Sequence, residues 1–213
     1  VKDINPGSVS SSPALLSELN GILYLRATNA AVGTELWKTD GTFSGAIKIS
    51  SQPVTSDVHI YNDHIIFLSG DQLWISDGTS NGTSMMFEMQ GMISQKIFAG
   101  VTYLYFSVSN VLGNEELWRT DGTPSGTILI KEVKINLSGV YGYEAAGKFL
   151  FNAVFQSHGT ELWATDGTPQ GTALVKDFLV GSTNQYLSLN GVFNGKAIVD
   201  FQFNTWLSDG TNA

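Results

Sequence analysis

Apolar and polar positions alternate along short stretches of the chain, and no segment holds a sustained helical stripe. Runs such as IIFLS (65–69), TYLYFSVS (102–109) and KFLFNAVF (148–155) are rich in aromatic and branched residues. They are too short for helices of ordinary length and predict β-strands. In the first fifty residues the pattern resolves into four strands, 14–19, 22–28, 34–39 and 46–50, with Asn20-Gly21 and Asp40-Gly41 at two of the breaks. Such pairs suit tight hairpin turns, because Gly has no Cβ to clash at positive φ and Asn and Asp tolerate the left-handed region. Asn62-Asp63, Ala146-Gly147 and Asn194-Gly195 mark the matching first-to-second turns further on. The whole chain therefore reads as all-β.

The plan recurs in the letters themselves. GTELWKTDGT (33–42), GDQLWISDGT (70–79), NEELWRTDGT (114–123), GTELWATDGT (159–168) and a worn copy, FNTWLSDGT (203–211), hold all five tryptophans. Trp37, Trp74, Trp118, Trp163 and Trp206 are spaced by 37, 44, 45 and 43 residues, and the step across the joined ends is 44. Periods of this length mean propeller blades or solenoid turns, and four short strands per unit select the propeller. The expectation is one five-bladed β-propeller over 1–213, with four-stranded antiparallel blades near 6–50, 51–90, 91–134, 135–178 and 179–213. The last unit shows no fourth strand, whereas Val1-Lys2-Asp3-Ile4 matches Val175-Lys176-Asp177-Phe178 at the fourth strand of unit four. Strand 1–5 is thus expected to complete the last blade and close the ring.

The phrase E-L-W-x-x-D-G-T followed by x-x-G-T-x-L-V-K-D resembles the ELW-x-x-DGT repeat family, long secreted or surface proteins, largely bacterial, expected to form β-propellers. The likeness covers essentially the whole chain. Units one, three and four match well, while Gln72 replaces Glu in the second and Asn204-Thr205 replaces Glu-Leu in the fifth. The resemblance implies a secreted or cell-surface location and is nearly silent about ligand. The Asp-Gly hairpin is also similar to the Asp-box of sialidase-type propellers, where that motif is structural.

Composition narrows the partners. A chain of 213 residues needs neither metal nor disulfide to bury a core, and it has no cysteine. Its net charge is −8, from 19 acidic and 11 basic residues with no basic cluster, which argues against nucleic acid. No apolar run approaches spanning length, so membrane insertion is not expected.

The five tryptophans are expected to pack between blades, since a buried Trp dominates such contacts. Asp40, Asp77, Asp121, Asp166 and Asp209 are expected to accept bonds within their turns, because no dense D-x-D-x-D run offers a calcium cage. No metal, cofactor or catalytic residue is implied. His59, His64 and His158 lack metal-ligand spacing, and G-x-S-x-G is absent. Glu35, Glu116 and Glu161 recur by symmetry, which argues for a repeated structural bond.

Function is then sought where the repeats differ. The loops between second and third strands and between blades carry amide, hydroxyl and aromatic side chains suited to sugar recognition. Asn29, Asn110, Asn114, Tyr141, Tyr143, Gln156, His158, Gln185 and Tyr186 are the candidate ligand-binding residues. The expected function is a non-catalytic, lectin-like recognition module for a glycan or glycoprotein. Two alternatives are a protein-binding or structural unit of a larger adhesin or surface assembly and, more weakly, a glycan-active hydrolase.

Overall fold

The computed structural model describes residues 2–42, 44–55, 58–89, 91–110, 112, 115–133, 142–155, 158–178 and 187–211. Every helix or strand among them is a strand, and the chain forms two compact units, Val1–Gln95 with Gly122–Pro124 and Lys96–Asp121 with Ser125–Ala213.

The first unit holds two complete antiparallel sheets. In one, β1 (Ala14–Leu19), β2 (Ile22–Asn29), β3 (Gly33–Thr39) and β4 (Ile47–Ser50) lie side by side in chain order. In the other, β5 (His59–Tyr61), β6 (His64–Ser69), β7 (Gln72–Ser76) and β8 (Thr83–Glu88) repeat the meander. At the β1–β2 hairpin Asn20 (φ 53°) and Gly21 (φ 78°) are both left-handed, so the turn's twist matches that of the strands. Asn62 and Asp63, Ala146 and Gly147, and Asn194 and Gly195 repeat it. Leu36, Ile65 and Phe67, fully buried, join Tyr24, Ile49, Val54 and Val58 in the apolar layer between the two sheets.

The remaining strands form three sheets. β9 (Gly91–Ala99), β10 (Leu104–Asn110), β11 (Glu115–Thr120) and β12 (Ile128–Val133) make the third, and β13 (Gly142–Ala145), β14 (Lys148–Phe155), β15 (His158–Thr165) and β16 (Ala173–Lys176) the fourth. The fifth has three strands, β17 (Leu187–Phe193), β18 (Lys196–Phe201) and β19 (Asn204–Ser208). In the second unit Tyr105 and Leu117 meet Phe149, Phe151 and Trp163, with the Tyr105 and Phe149 rings stacked 4.1 Å apart. The other face of the fourth sheet sets Leu150, Leu162 and Val175 against Leu187, Val199 and Phe201. Apolar groups on both faces of a strand are what a sheet packed between two neighbours requires.

The repeat predicts five tryptophans packed between blades, but they are buried to different degrees. Trp37 and Trp163 are 7% and 6% exposed and Trp74 and Trp118 half-buried, but Trp206 is 49% exposed. A fourth-strand residue lies opposite each of the first four: Lys48, Met85, Leu129 and Leu174, each beside a bulge at the Leu–Trp step. No described strand covers the corresponding edge of β19. The strand expected at the N-terminus is not formed by residues 2–5. Instead Asn29 Nδ2 donates to Ile4 O (3.2 Å), and Asn5 Oδ1 accepts from Ala30 N (2.9 Å). Side-chain amides thus engage backbone groups that a ladder would use.

Candidate functional site

The repeated Asp-Gly-Thr turns are closed sets of hydrogen bonds. Asp40 Oδ1 accepts from Thr42 N (2.9 Å) and Thr42 Oγ1 (2.7 Å), and the pairs Asp77–Thr79, Asp166–Thr168 and Asp209–Thr211 do the same. The threonine hydroxyl first, and its backbone N–H second, hold these four carboxyls below the usual aspartate range. The same hydroxyl accepts from the N–H of Gly45, Gly82 and Gly171 three residues on. A second hydroxyl pair then locks the turn: Ser76–Thr83 (2.6 Å), Thr120–Thr127 (2.8 Å) and Thr165–Thr172 (2.7 Å). Each carboxylate presses on its own glycine, so that a Cβ at Gly45, Gly82, Gly126 or Gly171 would lie 1.7 to 2.1 Å from an aspartate atom. These groups serve the turn, and among the described residues no three acidic or histidine side chains could share a metal ion.

The turns also dock on the preceding sheet. Gly78 (φ 84°) lies under Tyr24, whose hydroxyl would be 2.5 Å from an added Cβ, and Lys38 Nζ donates to Gly78 O (2.6 Å). Gly167 lies under Tyr103 and its carbonyl accepts from Arg119, whose guanidinium sits 3.9 Å over the Tyr103 ring. The repeated glutamates are occupied too. Glu116 Oε2 accepts from Trp118 Nε1 (2.8 Å), and Gln72 Oε1 accepts from Trp74 Nε1 (3.2 Å), which is why an amide can replace the acid there. Buried Glu35 pairs with Lys48 (3.2 Å), and Glu161 Oε2 accepts from Phe178 N (2.6 Å). Glu115 differs: burial pushes its carboxyl up to about 7, and its Oε2 is enclosed without a hydrogen bond.

Of the loop residues picked out by composition, Asn29, Asn110 and Tyr143 lie among those described with their side chains. Asn29 Oδ1 accepts from Ala31 N (2.9 Å) while its amide holds Ile4 O, so both ends of the side chain secure local backbone. Asn110 Nδ2 donates to Glu116 Oε1 (2.9 Å) and its Oδ1 accepts from Leu112 N (3.0 Å), placing it in the Trp118 bond chain. Tyr143 is 37% exposed on β13, opposite Leu150. Asn114, Tyr141, Gln156, Gln185, Tyr186 and the side chain of His158 lie outside the described residues.

A polar concavity stands instead on the fifth sheet. Register places Ser188, Asp200 and Thr205 in one row across β17, β18 and β19. Thr205 Oγ1 donates to Asp200 Oδ1 (2.7 Å), and Asn190 Nδ2 donates to Asp200 Oδ2 (2.5 Å) and Ser188 Oγ (3.2 Å). These side chains, with Gln202 and Phe203, line a cavity of about 560 Å³. The β18–β19 turn places Gln202 (φ 45°) and Phe203 (φ 67°) in the left-handed region, and Phe203 is fully exposed. A bulky residue at positive φ is strained, and such strain concentrates at functional positions. Composition missed this site because its residues meet only through strand register. The visible signal was the last repeat's departure from Glu-Leu-Trp.

No family model and no curated protein matches the chain. Solved structures do. A prolyl endopeptidase matches with a TM-score of 0.56 at 11% identity, over 89% of this chain and 32% of its own. The acylaminoacyl peptidase of Pyrococcus horikoshii matches at 0.54 and 12%, over 99% of this chain and 40% of its own. An uncharacterized protein of Listeria monocytogenes matches at 0.51 and 12%, over 94% of this chain and 67% of its own. The chain thus spans 32% and 40% of the lengths of the two peptidases. At such identities the likeness concerns fold alone. With five successive antiparallel sheets, that fold is of β-propeller type.

Proposed function

We propose that the chain is a secreted or surface-displayed five-bladed propeller of the ELW-x-x-DGT type that recognises carbohydrate without catalysis. One contrast carries the functional reading. The repeated carboxylates are engaged in turns, indole bonds and an ion pair, whereas the polar cavity is built from residues that the repeat's common letters do not specify. Hydrolysis needs neighbouring titratable groups whose environments push their pKa values apart. The Glu115 carboxyl is raised by burial alone, without a second titratable group among the causes. Amide, hydroxyl, carboxylate and an exposed ring together are the equipment of a sugar site.

Ring closure has its own support. Lys131 of β12 sits 5.2 Å over the Trp163 ring of the next sheet, and Lys2 sits 5.3 Å over the Trp37 ring. Residues 2–4 therefore stand to the first sheet as a preceding sheet's fourth strand would. Among the described residues the fifth sheet has no fourth strand, and a groove of about 180 Å³, lined in part by Val175, Phe178, Trp206 and Leu207, runs along β19.

Two experiments test these readings. Immobilised polyvalent glycans should bind far more tightly than the matching free sugars, by avidity, with no turnover of chromogenic glycosides. Turnover abolished by one Asp or Glu substitution in a folded protein would overturn the binding role. Deleting residues 1–5 should expose the β19 edge and promote aggregation. An unchanged melting temperature and monodisperse behaviour would sink the ring.

A further inference from the structure

We infer that the Asp200 cavity is a site for a terminal, uncharged sugar residue, clamped through a pair of adjacent hydroxyls with its ring face on Phe203. The assignment rests on the carbohydrate reading above and adds the site and the class of sugar.

The geometry carries the argument. Asp200 is oriented from both sides, by the Thr205 hydroxyl on Oδ1 and the Asn190 amide on Oδ2. Each carboxylate oxygen offers further lone-pair capacity, so the group can accept from two hydroxyls at once through charge-assisted bonds. The Thr205 oxygen, whose proton is directed at Asp200, and the Ser188 oxygen can accept from sugar hydroxyls in turn. The cross-strand row fixes the spacing of these groups on rigid strands, a better platform than a loop.

Phe203 supplies the apolar surface. Its ring lines the same cavity and is fully open to solvent, on a turn where Phe gains nothing from the backbone. Glycine would fit that φ without strain, so packing and turn chemistry both fail to explain the residue. Stacking against the apolar face of a pyranose ring would. A cavity of about 560 Å³ admits one or two sugar residues, which points to the end of a chain rather than a long internal stretch. The charge selects against acids: the cavity holds a carboxylate and the protein carries −8 overall. Sialylated, uronic and sulfated glycans would meet repulsion on approach and on contact.

The test uses the full 213-residue protein on immobilised mannan, galactan, chitooligosaccharide and heparin, followed by calorimetry with soluble oligosaccharide from the best binder. Wild type should bind at least one neutral glycan and not heparin. Phe203→Gly should weaken that binding about tenfold or more while leaving the melting temperature equal or higher, because it removes the ring and relieves the turn. Asp200→Asn should weaken it comparably with the fold retained. If wild type binds neutral glycan and both variants bind equally well, the site is wrong and the carbohydrate reading stands. If wild type binds heparin alone, the uncharged class is wrong. Binding to none of the four overturns the reading and the site together.

Discussion

Placing one methyl group at Gly171 would test whether the Asp-Gly-Thr turns are held by their carboxylates. A Cβ there would lie 2.1 Å from Asp166 Oδ1 and 2.2 Å from its Cγ. Carbon contacts need about 3.5 Å or more, so one partner must move. Gly171 is not among the glycines at positive φ, so alanine is compatible with the backbone and on its own would stabilise by about 0.4–1 kcal/mol through the unfolded chain. Relief of the clash requires Asp166 to swing away from Thr168 N (2.8 Å) and Thr168 Oγ1 (2.7 Å). Bonds to a charged acceptor contribute about 1.5–3 kcal/mol each, with this exposed turn at the low end. Two such bonds less the entropic gain leave a loss of about 2 kcal/mol. For a domain of this size that lowers the melting temperature by roughly 4–8 °C.

The partner variant makes the argument decisive. In an Asp166→Ala background the methyl meets no carboxylate, so Gly171→Ala should there be neutral or slightly stabilising, giving a coupling of about 2–3 kcal/mol in calorimetry. Acid supplies a second control. Bonds from Thr168 hold the Asp166 carboxyl low, so its stabilising effect is complete above the unfolded value near pH 4 and is lost as pH falls through the lower folded value. The gap between wild type and Gly171→Ala should therefore narrow under acid. Strictly additive losses in the cycle would show that the carboxylate does not hold the turn.

Trp163→Ala should cost about 3–5 kcal/mol in urea titrations, because its ring is 6% exposed between sheets, whereas Trp206→Ala in a protein lacking residues 1–5 should cost about 1 kcal/mol or less. Equal losses in that truncated protein would mean that residues 1–5 are not what covers the β19 edge. Glu115 presents the opposite sign to Asp166. With a folded value raised to about 7 by burial, its contribution to stability is present in full below the unfolded value near pH 4 and is lost as pH rises through 7. The melting temperature of wild type should fall across that window relative to Glu115→Gln, and parallel profiles would refute the burial of that carboxyl.

What could be read along the chain was what local chemistry determines. KFLFNAVF marks β14 from end to end, and the positive φ angles of Asn20-Gly21 and Asn194-Gly195 follow from side chains that tolerate them. Even the spacing in D-G-T-x-x-G-T states the turn's bonds, since Asp166 needs Thr168 two residues on and a bare Gly171 three beyond that. Composition did not reveal the local bonds of Asn29 and Asn110. An asparagine at the mouth of a loop suits ligand and backbone equally, and in both cases nearby backbone N–H groups were the closer partners. Trp206 misled because burial belongs to the neighbouring strand, which a repeated motif cannot guarantee. Asp200 was unreadable for a third reason: it meets Ser188 and Thr205 only through pairing across two hairpins. A repeat conceals function when its common letters are scaffold, so the informative residues are those where a copy abandons the pattern at a cost. Phe203, in a turn that glycine would fill without strain, beside the copy that lost Glu-Leu, meets both conditions.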